Sequence, residues 1–295
     1  MTLPLFDVRT PLERLTIFTP LGIRFWDAAW STQVSEGLTV TARPQGTRQA
    51  VAYAFRTASG VYAFQGLPGL RAVEYPPQDT DPFGSPPATR CFVVEVTDQE
   101  RRFLPMVLSV ELPYRGIFPT GTLGSPLGHR LPGVYLFSSP TRPAVPSLAV
   151  VRAQLVDAVT HQPAAHALMT VRASGQAVAY GLADERGGIA VLFPYPAFTA
   201  MVGGSPPGTP LATGGLQHWE VSIGVRYEPA VLTIPPGATL PDLRSTVSQA
   251  PGVIWATVAS QPSSLLSAEL IFGQELVLRT DETSVLLIGA AASPP

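Results

Sequence analysis

The sequence contains no lysine and no asparagine. Both are encoded by A-rich codons, so their joint absence points to a GC-rich genome and explains an all-arginine basic set without a functional reason. The missing lysine also excludes a phosphate loop ending in G-K-[ST]. Charge of either sign is scarce, 14% of residues against about 25% in ordinary globular chains. With a net charge of −2 and no basic stripe to neutralise phosphates, the composition argues against nucleic acid as a partner. Cysteine occurs once, at Cys91, which rules out an intrachain disulfide framework and a cysteine-ligated metal site. Just ahead of FVVEV, Cys91 is expected to be a small buried apolar residue. No apolar run reaches the ~18 residues of a membrane span. The opening MTLPLFDVRTPLERLTIF carries Asp7 and Glu13 rather than the basic and apolar segments of a signal peptide, so assembly in the cytoplasm is expected.

Proline is abundant instead, 32 residues among 295, which favours short strands and loops over long helices. Strand patterns recur with a turn signal every ten residues or so. Phe92, Val94 and Val96 alternate with Val93, Glu95 and Thr97; Leu108, Val110 and Leu112 alternate with Val107, Ser109 and Glu111. These read as half-buried antiparallel strands. Gln49–Arg56 and Val61–Phe64 read as a hairpin about Ala58-Ser59-Gly60. In Val151–Pro196, Met169, Val171 and Ala173 share a face, and Ile189, Val191 and Phe193 alternate back to a core. His218–Glu228 reads as a strand, Leu265–Arg279 as two strands bent at Gly273, and Leu240–Ala250 as one short helix between Pro241-Asp242 and Pro251-Gly252.

A repeat organises these elements. QAVAY occurs at Gln49–Tyr53 and again at Gln176–Tyr180, an offset of 127 (176 − 49). An aspartate-ending run, a strand containing Thr-Val and a glycine turn flank both copies in the same order. The expected fold is therefore all-β: two tandem antiparallel β-sandwiches and a small, mostly-β C-terminal subdomain with at most one short helix. The boundaries are an N-terminal arm over 1–14, a first sandwich over 15–139, a Pro-rich connector over 140–146, a second sandwich over 147–228, and the subdomain and tail over 229–295.

Catalytic and metal signatures are weak. His129, His161, His166 and His218 show no i, i+4 pairing and no metalloprotease motif. The closest approach to G-x-S-x-G, Gly203–Pro207, ends in proline with no strand before it. Asp79 and Asp81 supply two carboxylates, where calcium takes about six to eight oxygens. No catalytic residue, metal or cofactor is expected. Core packing is the expected role of Trp26, Trp219 and Trp255, whereas Trp30, in the turn Ala28–Gln33, reads as a contact residue. Leu3 and Phe6 of the arm, and Met201 and Leu211 of the Ala197–Gly215 loop, are expected to join it.

Two resemblances follow from these residues. D-x-x-T-x-x-P at Asp157–Pro163 and the D-E-x-G turn at Asp184–Gly187 resemble the carboxypeptidase-regulatory-like, prealbumin-type sandwich, which implies a fold and no chemistry. Over the whole chain, GIRFWDAAWSTQVSEGLTVTA (Gly22–Ala42), FRTASGVYAFQGLPGLRAVEYP (Phe55–Pro76), RFLPMVLSVELP (Arg102–Pro113) and GVYLFSSPTRPAVPSLAVVRAQLVDA (Gly133–Ala158) resemble accessory proteins of phage-tail-like contractile injection systems. GLADERGGIAVLFPYP (Gly181–Pro196) and FGQELVLRT (Phe272–Thr280) share the likeness. It implies a non-catalytic structural subunit, at the baseplate or an end adaptor, present in several copies and docked to baseplate, sheath, tube or adaptor proteins. A glycan-binding or adhesion module built on the same sandwiches is the alternative, and a hydrolase with scattered catalytic residues the second.

Overall fold

Period-two alternation bounded by Gly and Pro turns produces short strands throughout. The computed structural model describes residues 17–291 apart from 48–50, 78–79, 82–83, 85–87, 119–131, 174–175 and 197–216. Strands β1 (Gly22–Ile23), β2 (Phe25–Asp27), β3 (Leu38–Pro44), β4 (Ala52–Tyr53), β5 (Phe55–Arg56) and β6 (Tyr62–Ala63) precede a one-turn helix, α1 (Arg71–Glu74). Then come β7 (Arg90–Asp98), β8 (Met106–Leu112), β9 (Ile117–Phe118) and β10 (Val134–Leu136). One antiparallel sheet runs β4-β3-β7-β8; facing it, β6 pairs antiparallel and β9 parallel with β1, and β10 pairs parallel with β2. Ile23, Phe25 and Leu136 from one layer meet Val40, Val94 and Leu108 from the other in a single core.

The second sandwich contains β11 (Leu148–Asp157), β12 (Leu168–Ala173), β13 (Gln176–Leu182), β14 (Gly188–Pro194), β15 (His218–Arg226), α2 (Leu243–Val247), β16 (Gly252–Ile254), β17 (Leu266–Ile271), β18 (Glu275–Leu278) and β19 (Leu286–Ala290). Its antiparallel sheet runs β13-β12-β15-β17. In the other layer, β14 pairs antiparallel with β11, β18 parallel with its first half and β19 parallel with its second half. The protein is nearly all β, as its composition implies. The sequence pattern sets 229–295 apart, but β17, β18 and β19 occupy the sheets of the second sandwich. Their alternation is too short and too exposed to show, on its own, which sheet they join. A second short helix, α1, joins the expected one because the buried Glu74 carboxylate accepts the Gly66 and Leu67 N–H groups at 2.7 and 3.2 Å and folds the chain back.

The two sandwiches are copies of one topology, and the register shows it. Tyr53 pairs with Thr41 and Tyr180 with Thr170; in the next row Ala42 pairs with Val94 and Val94 with Leu108, as Val171 pairs with Ile223 and Ile223 with Leu266. The turns agree as well. The Asp27 backbone N–H donates to Thr32 O at 2.8 Å and its Oδ1 accepts from Ala29 N at 2.8 Å; Asp157 repeats this with Gln162 O at 2.9 Å and Val159 N at 2.8 Å. Ser31 and His161 hold the same left-handed position, at φ 52° and 57°. Gly60 and Gly187 close equivalent turns, donating N–H to Thr57 O and Asp184 O.

A clasp joins the copies. The segment between β15 and β16 crosses to the first sandwich, where the Asp242 carboxylate caps α2 through Arg244 N at 2.8 Å and accepts the Ser109 N–H of the edge strand β8 at 2.5 Å. Arg43, almost fully buried, bonds Glu95 at 2.6 Å and the Gly237 carbonyl of the clasp at 2.7 Å. Val93 and Val107 lie outside the core cluster yet are buried. The sequence pattern marks this sheet face as half-solvated; the clasp covers it, and α2 adds Leu243 and Val247 to the first core.

Candidate docking surfaces

The connector between sandwiches is held by charge. Arg142 donates to both Asp27 oxygens, at 3.0 and 2.6 Å, and to Ser138 Oγ at 3.0 Å, with its guanidinium 4.9 Å from the Phe103 ring centroid. Arg152 donates to the carbonyls of Pro140 and Arg142. Beside the connector a cleft of about 310 Å³ opens between the sandwiches, lined by Leu104, Pro105, Leu182 and Leu240 with His166, Asp184, Glu185 and Arg186. Burial pushes the His166 imidazole below its ordinary value, against the opposing pull of Glu185 and Asp184. Asp184 Oδ1 is engaged by the Arg186 and Gly188 N–H groups at 2.9 and 2.8 Å, so this carboxylate closes its turn.

Asp157 is similarly committed. Burial raises its carboxyl, but the N–H groups of Thr160 and Val159 and the Tyr227 hydroxyl at 3.1 Å hold it below the usual carboxylate range. Burial and that same bond push Tyr227 up to about 12. The D-x-x-T-x-x-P signature is thus a turn built on Asp157. Among the described residues, no group of three His, Cys, Asp or Glu side chains could hold a metal ion. Cys91 is exposed, against expectation, because it precedes the buried Phe92, and the alternation of β7 turns it outward.

Of the expected contact residues, Trp30 is 38% exposed, at the turn position that Thr160 fills in the second copy. Leu3, Phe6, Met201 and Leu211 lie outside the described residues, as do the 1–14 arm and the 197–215 loop. Two surfaces went unread in the sequence. At one end of the second sandwich, the Tyr195 ring lies 5.3 Å from Trp219 and 4.8 Å from Phe272, and its hydroxyl accepts the Gly273 N–H at 2.9 Å. Trp219, expected in the core, is only partly buried there.

The other surface is the edge run of the first sandwich, where Val51, Tyr53 and Phe55 are 45%, 70% and 40% exposed. Between them, Ala52 and Ala54 pack on the core. The large side chains face out and the small ones in, the reverse of the usual preference. The signal was present in AVAYAF, as large residues alternating with alanine, but periodicity alone does not say which set faces the core.

No family model matches this chain, and no curated protein does. Among solved structures, it aligns with BcpA, the major pilin subunit of Bacillus cereus, over 89% of this chain and 59% of that one, at 10% identity and a TM-score of 0.20. The chain spans less than two thirds of that pilin, and a superposition this loose carries no argument about function. No helix among the described residues is long and apolar enough to cross a membrane.

Proposed function

We propose that this chain is a non-catalytic structural subunit of a phage-tail-like contractile particle, docked at the baseplate or an end adaptor. The particle assignment comes from the segments that resemble accessory proteins of such systems. The observation that carries the structural role is the fusion of the two sandwiches. Leu168, Leu182, Leu243 and Val247 of the second sandwich lie in the apolar cluster of the first. With the clasp and the Arg142–Asp27 pair they join the sandwiches across an apolar interface, which suits a load-bearing spacer. Deleting the gene should leave particles incomplete or unable to contract when viewed by electron microscopy, and normal, functional particles from the deletion strain would refute the assignment.

The Tyr195–Trp219–Phe272 cluster favours a second reading, a glycan-binding module, because aromatic rings at the end of a sandwich suit the apolar faces of sugars. Saturable binding of a cell-wall fragment by the monomer, lost in Trp219→Ala, would select it.

A further inference from the structure

The two sandwiches treat the same stripe differently. At the 127-residue offset, Tyr53 and Phe55 correspond to Tyr180 and Leu182. The first pair is exposed, whereas Leu182 is buried and Tyr180 packs on the core cluster of the first sandwich. Beside this contact lies the cleft of about 310 Å³, bounded by Leu104 of the first sandwich, Leu182 of the second and Leu240 of the clasp. It has room for about ten water-sized volumes, and a junction between domains is a common setting for a small-molecule site.

The polar lining of the cleft is unspent. The His166 imidazole and the Glu185 carboxylate make no hydrogen bond or ion pair among the described residues. Asp184 Oδ1 closes its turn, but Oδ2 has no hydrogen-bond partner there. These groups are also particular to this cleft. Through the paired rows Thr41–Tyr53 and Thr170–Tyr180, His166 corresponds to Gly37, and at the turn closed by Gly60 and Gly187, Thr57 and Ala58 correspond to Asp184 and Glu185. Gly37 and His166 share the left-handed backbone, at φ 81° and 59°. Glycine adopts it freely, whereas a histidine there is strained. The covered copy thus carries a strained imidazole and two carboxylates where the exposed copy has a glycine and two uncharged residues.

Charge selects the ligand. Burial pushes His166 below its ordinary value and keeps it neutral at pH 7, while the charges acting on it from Glu185 and Asp184 both favour a proton. A neutral imidazole offers one acceptor nitrogen and a carboxylate only acceptors. Arg186 is exposed at the rim, so two carboxylates stand against one guanidinium. We infer that this cleft binds a small organic ammonium, its apolar body on Leu104, Leu182 and Leu240 and its N–H groups donated to Glu185, Asp184 Oδ2 and His166. The site goes beyond the contractile-particle reading and does not depend on it.

Proton NMR of the purified full chain tests it through the ring signals of the four histidines, that of His166 being assigned by its loss in His166→Gly. The probes 2-phenylethylammonium and hexylammonium should each shift the His166 signal saturably, with a Kd on the order of 1 mM for ligands of this size. The uncharged 2-phenylethanol should bind about 10-fold more weakly, and phenylacetate should not bind. Affinity for the ammonium should fall as pH drops below the ordinary imidazole range, because a protonated His166 no longer accepts and adds a like charge beside Asp184, Glu185 and Arg186. Line-broadening of the probe itself measures binding to variants. Glu185→Gln should weaken it about 10-fold, and Leu240→Trp should abolish it by filling the cleft. His166→Gly should melt no lower than wild type, since glycine fits the left-handed backbone, yet bind about 10-fold more weakly; that combination separates a ligand contact from a structural role. No saturable shift from either ammonium up to about 20 mM would overturn the inference. So would a 2-phenylethanol that binds as tightly as the amine, or wild-type affinity in Glu185→Gln and His166→Gly.

Discussion

Replacing Arg142 with methionine should destabilise the protein out of proportion to the loss of one ion pair. Arg142 and Asp27 side chains are 11% and 7% exposed and share two hydrogen bonds, at 3.0 and 2.6 Å. A pair this buried has been removed from water, so its desolvation cost offsets much of its attraction and the intact pair adds little net stability. Removing one partner is different, because Asp27 is left as a buried charge without its counter-ion. Breaking such a pair costs about 3–5 kcal/mol. At about 2–4 °C per kcal/mol for a chain of this size, the melting temperature should fall by roughly 6–20 °C. The control is Asp27→Asn in the Arg142→Met background. It removes the stranded charge but leaves an amide oxygen for Ala29 N, so the double variant should regain much of the loss. Differential scanning calorimetry of the four proteins completes the cycle. A loss under about 1 kcal/mol for Arg142→Met, the size expected of a solvated surface pair, would show that water reaches Asp27 and that charge does not fix the connector.

Three further outcomes follow from the geometry. Leu182→Ala should cost about 2–5 kcal/mol and split a single calorimetric transition in two, because Leu182 belongs to the core of the neighbouring sandwich; one unchanged transition would show that the sandwiches do not unfold together. Gly187→Ala should destabilise more than Gly60→Ala in urea titrations, although both sit near φ +75° (+79° and +73°). The added Cβ would lie 2.3 Å from the Leu155 backbone oxygen in the first case, whereas at Gly60 it first meets the movable Gln33 amide at 2.4 Å. Asp157 is held below its unfolded carboxylate value, so its contribution is present above about pH 4 and is lost as pH falls through the folded value. Asp157→Asn should therefore lower stability near neutrality, by about 1.5–3 kcal/mol for charge-assisted bonds, and flatten the acid limb of stability against pH.

The strand content, the duplication and the turn at Asp157 were all legible in the chain, because each is a local pattern. Side-chain alternation has period two whatever a strand pairs with, and an aspartate followed by free N–H groups forms the same cap in Asp27–Gln33 as in Asp157–Pro163. Sheet membership was not local. β17 joins β15 across a gap of tens of residues, β18 and β19 join β11 across more than a hundred, and β8 loses its free edge to Asp242, 133 residues downstream of Ser109. The orientation of AVAYAF was undecidable for a related reason. Its pattern requires one face in and one face out, and only packing determines that Ala52 and Ala54 fill the narrow gap at the core while Tyr53 and Phe55 turn outward. The same holds for Val93 and Val107, which alternate like half-solvated residues and become buried only because a clasp from the second sandwich covers them. The sequence by itself determined that two similar sandwiches form. Tertiary structure decided how they lock together and which of two matching apolar stripes was left exposed, because that depends on what lies opposite each stripe in space.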